Sequence, residues 1–179
     1  MPGYLKYWIF IALLVVIAPG CERINKLTVF NIKYNTQTTV ESVVGINLPF
    51  NILTPAIRTN SQSEFEINET RKDLIEKINL TDLQLNISNP TNGDFSFLKS
   101  IKIYVNGKGV EEKLIAWNES IDSNSKTIVM TPTSDDLQEY VKLDSISLRV
   151  NTVTKKLLLT DYLLDINAVF RVDAKILGI

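Results

Sequence analysis

The sequence predicts an all-β fold, an antiparallel β-sandwich with one or two short surface helices. Three observations carry this. Apolar and polar residues alternate along many short segments, as in Leu83-Gln84-Leu85-Asn86-Ile87, the pattern of strands with one wet face. Turn signals recur at intervals of roughly 8–12 residues, giving about eight to ten strands. Asn, Thr, Ser, Ile, Leu and Val dominate the chain, a composition suited to strands and turns.

The elements follow in chain order. Phe30, Ile32 and Tyr34 share one parity with Thr28, while Leu27 and Val29 sit on the other, so a first strand is expected with both faces covered. A second apolar run extends from Val40 to Pro49. Pro49 and Pro55 bracket Phe50-Asn51-Ile52-Leu53, which reads as an edge strand or an irregular crossing because proline cannot donate to a ladder. Residues 58–63 read as a polar loop, and Phe65 and Ile67 as a short strand. Residues 68–78 then suggest one or two helical turns capped by Asn68 or Thr70. Leu83, Leu85 and Ile87 form a strand, and Asn89-Pro90-Thr91-Asn92-Gly93-Asp94 is a strong turn signal. Ile101, Ile103 and Val105 make the next strand, ending in a tight turn at Asn106-Gly107.

Leu114–Trp117 begins another strand, and Thr127–Thr131 a further one. Residues 132–142 are the best helix, with Thr133 or Ser134 as cap, Asp135 and Asp136 in the first turn, and Leu137, Tyr140 and Val141 on one face. Ile146, Leu148, Val150 and Thr152 alternate in a penultimate strand. In the last, Leu164, Ile166, Ala168, Phe170, Val172, Ala174 and Ile176 share one parity. A run this long spans about 40 Å at roughly 3.3 Å per residue, so a bend, a bulge or an overhang is expected.

Composition excludes several chemistries. There is no histidine and a single cysteine, Cys21. The commonest general base, the commonest metal ligand and every Ser-His-Asp or Cys-His arrangement are therefore missing. The net charge of −1 argues against nucleic-acid binding, which needs a basic excess. The chain has no Walker loop and no GxGxxG motif. Asp122-Ser123-Asn124 hints at a calcium loop but lacks the glycine and glutamate such loops use, so no metal and no cofactor are expected. Asp82, Asp144, Asp165 and Asp173 fall on or beside wet strand faces. A glycosidase-like pair would need two acids in one cleft. Trp117, Tyr104 and Tyr140 are candidates for an aromatic binding platform for a sugar or partner. The Asn-x-Ser/Thr triplets at Asn68, Asn79, Asn86 and Asn118 are read as chance in an Asn- and Thr-rich chain.

Lys6 precedes an apolar run from Trp8 to Ala18, followed by Pro19-Gly20-Cys21. The run is too short for a comfortable membrane span, which needs roughly 20 apolar residues, but suits a signal-peptide core. The arrangement resembles a bacterial lipoprotein signal peptide, with a variant lipobox of the kind found among Bacteroidota-like lipoproteins. That resemblance implies cleavage after Gly20 and acylation (palmitate or a similar chain) of Cys21. A lone thiol in an oxidising compartment has no partner for a disulfide, which acylation would explain. Glu22 follows the cysteine in place of Asp, so the enterobacterial inner-membrane retention signal is missing. The expected organisation is a signal peptide over 1–20, a lipidated tether over 21–26 and one sandwich domain over 27–179.

Leu83-Gln84-Leu85-Asn86-Ile87-Ser88-Asn89-Pro90, residues 95–105 and Phe170-Arg171-Val172-Asp173-Ala174-Lys175-Ile176 resemble a group of small Bacteroidota lipoproteins over most of residues 65–179. A strand ending in Asn-Pro is also similar to the late-embryogenesis-abundant, WHy-type sandwich, which is immunoglobulin-like in kind. The resemblance implies a β-sandwich in the cell envelope, at the outer membrane and facing either the periplasm or the surface. It supplies no active-site residues. The expected function is a non-enzymatic binding or assembly module held by lipid on Cys21, with an envelope protein or glycan as partner. The alternative is a carboxylate-based envelope hydrolase acting on glycans.

Overall fold

A computed structural model of the chain describes residues 29–42, 46–47, 49–122 and 124–175. Within these, two antiparallel sheets pack face to face. The first has the order β1 (Val29–Val40), β10 (Tyr162–Ala174), β4 (Ile75–Asn89) and β7 (Thr127–Val129). The second runs β2 (Pro49–Leu53), β9 (Ser145–Thr154), β5 (Leu98–Gly107), β6 (Val110–Asn118) and β8 (Thr131–Pro132), with the short β3 (Ile57–Arg58) also on β9. Two helices, α1 (Ser61–Ile67) and α2 (Gln138–Val141), complete the described elements with two single 3₁₀ turns. The expected antiparallel sandwich is what forms.

The core lies between the sheets and is filled by the apolar parity of each strand. Ile32 and Tyr34 of β1, Leu83 and Leu85 of β4, Ile101 and Ile103 of β5, Leu148 and Val150 of β9, and Ile166 and Phe170 of β10 are all buried. Tyr34 and Phe170 meet edge to face, with ring centroids 5.6 Å apart. On β1 the opposite parity, Asn31, Lys33, Asn35, Gln37 and Thr39, is exposed. Beyond Phe30 this strand is thus one-sided, not covered on both faces as its first residues suggest. β2 is an edge strand between its two prolines, as expected.

The last strand keeps strict alternation along its whole length, and the irregularity falls on its partner. The β10–β4 register shifts between Leu163 and Leu164, Val169 and Phe170, and Asp173 and Ala174. Each shift inserts an extra residue in β4, at Ser88, Thr81 and Glu76. The buried positions of β4 therefore change parity, from Leu83, Leu85 and Ile87 to Ile78 and Leu80.

The segment from Phe65 to Ile78 departs from expectation. Phe65 and Ile67 belong to α1, not to a strand, and β4 begins at Ile75, inside the expected helix. Asn68 ends α1 instead of starting a helix, its Nδ2 donating to the Glu64 carbonyl at 2.7 Å. Glu69 takes φ 55°, and Thr70 N–H returns to the Phe65 carbonyl. One side chain anchors this helix: Phe65 is fully buried against Phe30, while Ile67 is 76% exposed. The turn expected at Asn106-Gly107 lies one step on. Gly107 pairs with Val110, and Gly109 supplies the positive φ of 81°.

Residues 127–132 form two short strands rather than one. β7 pairs with β4 in the first sheet and β8 with β6 in the second. Met130 is buried between them, its N–H on the Leu83 carbonyl at 2.9 Å. The best helix of the sequence shortens to Gln138–Val141. Neither Thr133 nor Ser134 caps it; Asp136 accepts from the Gln138 N–H instead. Its expected apolar face, Leu137, Tyr140 and Val141, is buried at the end of the core, while Glu139 is exposed on the other side.

Leu83→Ala empties a fully buried site in β4 and should cost about 2–5 kcal/mol in urea unfolding. Ile67→Ala, on the exposed side of α1, should change stability by less than about 0.5 kcal/mol.

Candidate functional site

The outward faces of the two sheets differ in chemistry. On the first, polar groups bond one another. Gln37 Nε2 donates to Asp165 Oδ1 at 2.6 Å, Ser88 Oγ donates to the same oxygen at 3.3 Å, and Thr127 Oγ1 donates to Asn86 Oδ1 at 2.7 Å. Asp82 accepts from Gln84 Nε2. Asp82, Asp165 and Asp173 lie on this outward face, and Asp144 is exposed beside β9.

The outward face of the second sheet carries Tyr104, Trp117, Lys102 and Arg149. Its register builds two parallel cross-strand rows. One runs Leu53, Arg149, Tyr104, Leu114 across β2, β9, β5 and β6. The other runs Asn51, Asn151, Lys102, Trp117, Thr131 and reaches β8. Five strands set about 4.8 Å apart make this face roughly 20 Å wide. A register shift in the β5–β6 pair between Ile103 and Tyr104 keeps Leu114 and Trp117 on the same outward face while Ile115 and Ala116 are buried.

Arg149 organises the first row. Its guanidinium carbon lies 4.1 Å from the centre of the Tyr104 ring, a cation–π stack. Its Nε donates to Glu112 Oε2 at 2.7 Å, its Nη2 to Glu112 Oε1, and its Nη1 to Asn51 Oδ1. Asn51 Oδ1 also accepts from Asn151 Nδ2 at 2.8 Å. The hydrogen bonds and charge of Arg149 hold the Glu112 carboxyl below the usual carboxylate range. The guanidinium is committed to its neighbours and fixes Tyr104 in place. In the second row, Lys102 meets Glu119 only loosely, at 4.0 Å with both side chains well exposed. No described protein group bonds Asn51 Nδ2 or Asn151 Oδ1.

The expected platform of Trp117, Tyr104 and Tyr140 is therefore two-thirds assembled. Trp117 and Tyr104 share the outward face on adjacent strands, both half-buried. Tyr140 does not belong to it. It is 1% exposed, and its hydroxyl donates to the Glu111 carbonyl at 2.7 Å, because its place on the apolar side of α2 turns the ring into the core. Arg149, Asn51, Asn151 and Lys102 were not singled out by the sequence, where they look like any other wet strand position. Cys21 and Gly20 lie outside the described residues.

Three further acids serve local structure. Asp94 accepts from the Ser96 N–H and Asp122 from the Asn124 N–H. Asp136, which burial pushes up, is held below the ordinary range by the Ile78 and Gln138 amides. Among the described residues, each carboxyl with a displaced pKa is lowered, whereas a general acid needs one raised. No group of three acids, cysteines or histidines among them is placed to hold a metal. No helix among them is long and apolar enough to cross a membrane.

No protein-family model matches the chain, and no curated protein shows significant similarity to it. Among solved structures, it is similar to that of the infectious bursal disease virus Gx strain, with TM-score 0.38 and 13% identity over 80% of this chain and 31% of that one. It is also similar to a protein of Eubacterium rectale classed as secreted, with TM-score 0.39 and 11% identity over 83% and 41%. The chain thus spans less than half the length of either. A third likeness is to CpGH89CBM32-5 of Clostridium perfringens, solved with GalNAc-β-1,3-galactose, with TM-score 0.32 and 10% identity over 74% and 94%. None of the three assigns a ligand or a site residue here.

Glu112→Gln should lower stability at pH 7 by about 0.5–1 kcal/mol, the scale of a partly exposed ion pair. Because the folded carboxyl is shifted down, that contribution is complete above the unfolded value of about 4.3. It is lost as pH falls through the folded value. Melting curves from pH 7 to pH 3 should show the gap between variant and wild type closing below about pH 4.

Proposed function

We propose that this chain is a non-enzymatic binding module of the cell envelope, held by acyl chains on Cys21, that takes a glycan on the outward face of its second sheet. The observation that carries the binding reading is the row Asn51, Asn151, Lys102, Trp117. A sugar ring has an apolar face of C–H groups and a rim of hydroxyls. An indole beside an ammonium and two amides matches both parts, the ring by contact and the rim by hydrogen bonds. The row runs across four strands on an outward sheet face, so it suits an internal stretch of polymer better than a small molecule, which a concave pocket would enclose. Arg149, Glu112 and Tyr104 make the adjoining row rigid, which limits the side-chain entropy lost on binding.

Anchoring rests on the sequence alone. The Lys6 n-region, the apolar run and Cys21 support it, and two or more acyl chains would hold the domain stably, each buried CH₂ contributing about 0.8 kcal/mol. Outer-membrane placement follows from the same resemblance and from Glu22 after the cysteine. A hydrolase reading has less support, because the displaced carboxyls are lowered and sit in separate loops and strands.

Two experiments test the two halves separately. Fatty-acid labelling and membrane fractionation should show label on the wild type and none on Cys21→Ala, which should leave the membrane. An unlabelled wild type would refute the anchor. Affinity electrophoresis through gels holding neutral and acidic polysaccharides should retard the wild type in at least one. Trp117→Ala should lose about tenfold or more in affinity with little change in melting temperature. Equal retardation of both, or of neither in any gel, would refute the glycan face.

A further inference from the structure

The four sheet edges are not equally protected. β7 has three residues, β8 has two and ends in Pro132, and β2 has five between Pro49 and Pro55. Short edges and prolines are the usual means of keeping edges from pairing. β1 has twelve residues and no proline. All twelve pair with β10 on one side. On the other side, no backbone hydrogen bond from β1 is made among the described residues. Open space follows this edge. A cleft of about 320 Å³ lies between Lys33–Thr36 and residues 56–60, and one of about 650 Å³ between residues 37–42 and β2. An unpaired ladder of this length calls for another strand.

We propose that the occupant is the β1 strand of a second copy, paired antiparallel about a two-fold axis through Gln37. Directly opposed residues share a face of the sheet, so the exposed odd-numbered set of β1 must meet itself. Centring on Gln37 sets Asn35 opposite Thr39 and Lys33 opposite Glu41, twice over by symmetry. Centring on Lys33 would oppose two like charges, and centring on Asn35 would set Glu41 against the half-buried Val29. The Gln37 register alone opposes the one exposed cation of β1 to the carboxylate just beyond its end. The product is one continuous eight-stranded sheet across an isologous dimer.

The full chain in its Cys21→Ala form, in mild detergent, removes acyl chains as a cause of association. Sedimentation equilibrium up to about 200 µM should then show a reversible dimer. Lys33→Glu and Glu41→Lys should each weaken it about fivefold or more, and the double exchange should restore it. On the same background Gln37→Cys should form a disulfide-linked dimer on oxidation, and Asn31→Cys should not. All of these positions are exposed, so the fold should tolerate each change. A monomer throughout this range, or a dimer indifferent to both single charge changes, would overturn the proposal.

Discussion

The pairing of β10 with β4 is the constraint on which the rest of the sandwich depends. β10 lies between β1 and β4, so an extra residue in it would break two ladders at once. It therefore keeps period two from Leu164 to Ala174, and its inward side chains are buried throughout. The accommodation falls on β4, whose other side meets β7 only from Gln84 to Asn86. Beyond that short pairing β4 is free to bulge, and it does. The bulges also turn its first half toward a new partner. The Ile78 carbonyl accepts from the Leu137 N–H at 2.7 Å, and the Ile78 N–H donates to Asp136. The irregular half of β4 thus docks α2, whose Leu137, Tyr140 and Val141 close that end of the core.

The two long sides of the sandwich are finished differently. On one, the chain from Thr127 to Pro132 crosses between the sheets at Met130 and seals the gap with a buried side chain. On the other, β1 faces β2 and β3 across open space, bridged by the Tyr34 hydroxyl on the Thr59 carbonyl at 2.9 Å. Burial raises the pKa of that phenol, so it stays a neutral donor and the bridge persists across the physiological range. The closed side limits what the sheets can do there. The open side leaves a ladder that is complete on one face only.

Much of this was legible in the sequence, and the exceptions have a physical cause. Regular strands such as β5, β9 and β10 announce themselves by alternation. β4 hides its first third because each bulge changes parity: Ile75 and Ile78 stand three residues apart, which is helical spacing, although both lie in a strand. α1 escapes notice for the opposite reason, since one buried aromatic, Phe65, fixes it and its other residues are polar apart from the exposed Ile67. Tyr140 reads as a platform candidate from its type alone, although its spacing with Leu137 and Val141 marks it for the apolar face of α2. Trp117 and Tyr104 could be named as candidates, but Arg149, Asn51 and Lys102 could not. Only the register of β2, β9, β5 and β6 brings them together, and register between distant strands leaves no local trace.

The proposed anchor, face and edge would also constrain one another. In the Gln37-centred dimer the two Val29 residues would stand roughly 50 Å apart at opposite ends, at about 3.3 Å per residue. Residues 21–28 can reach at most about 28 Å from each. If Cys21 carries lipid, both tethers meet one membrane only when β1 tilts from its surface by no more than about 30°. The joined sheet would then lie within that tilt of the bilayer plane in its long direction. A monomer, held at the Val29 end alone, would be free to stand with its strands pointing away from the membrane. If the Trp117 row takes an envelope polymer as proposed, its presentation would depend on whether β1 is paired, which would couple the edge to the face without any contact between them.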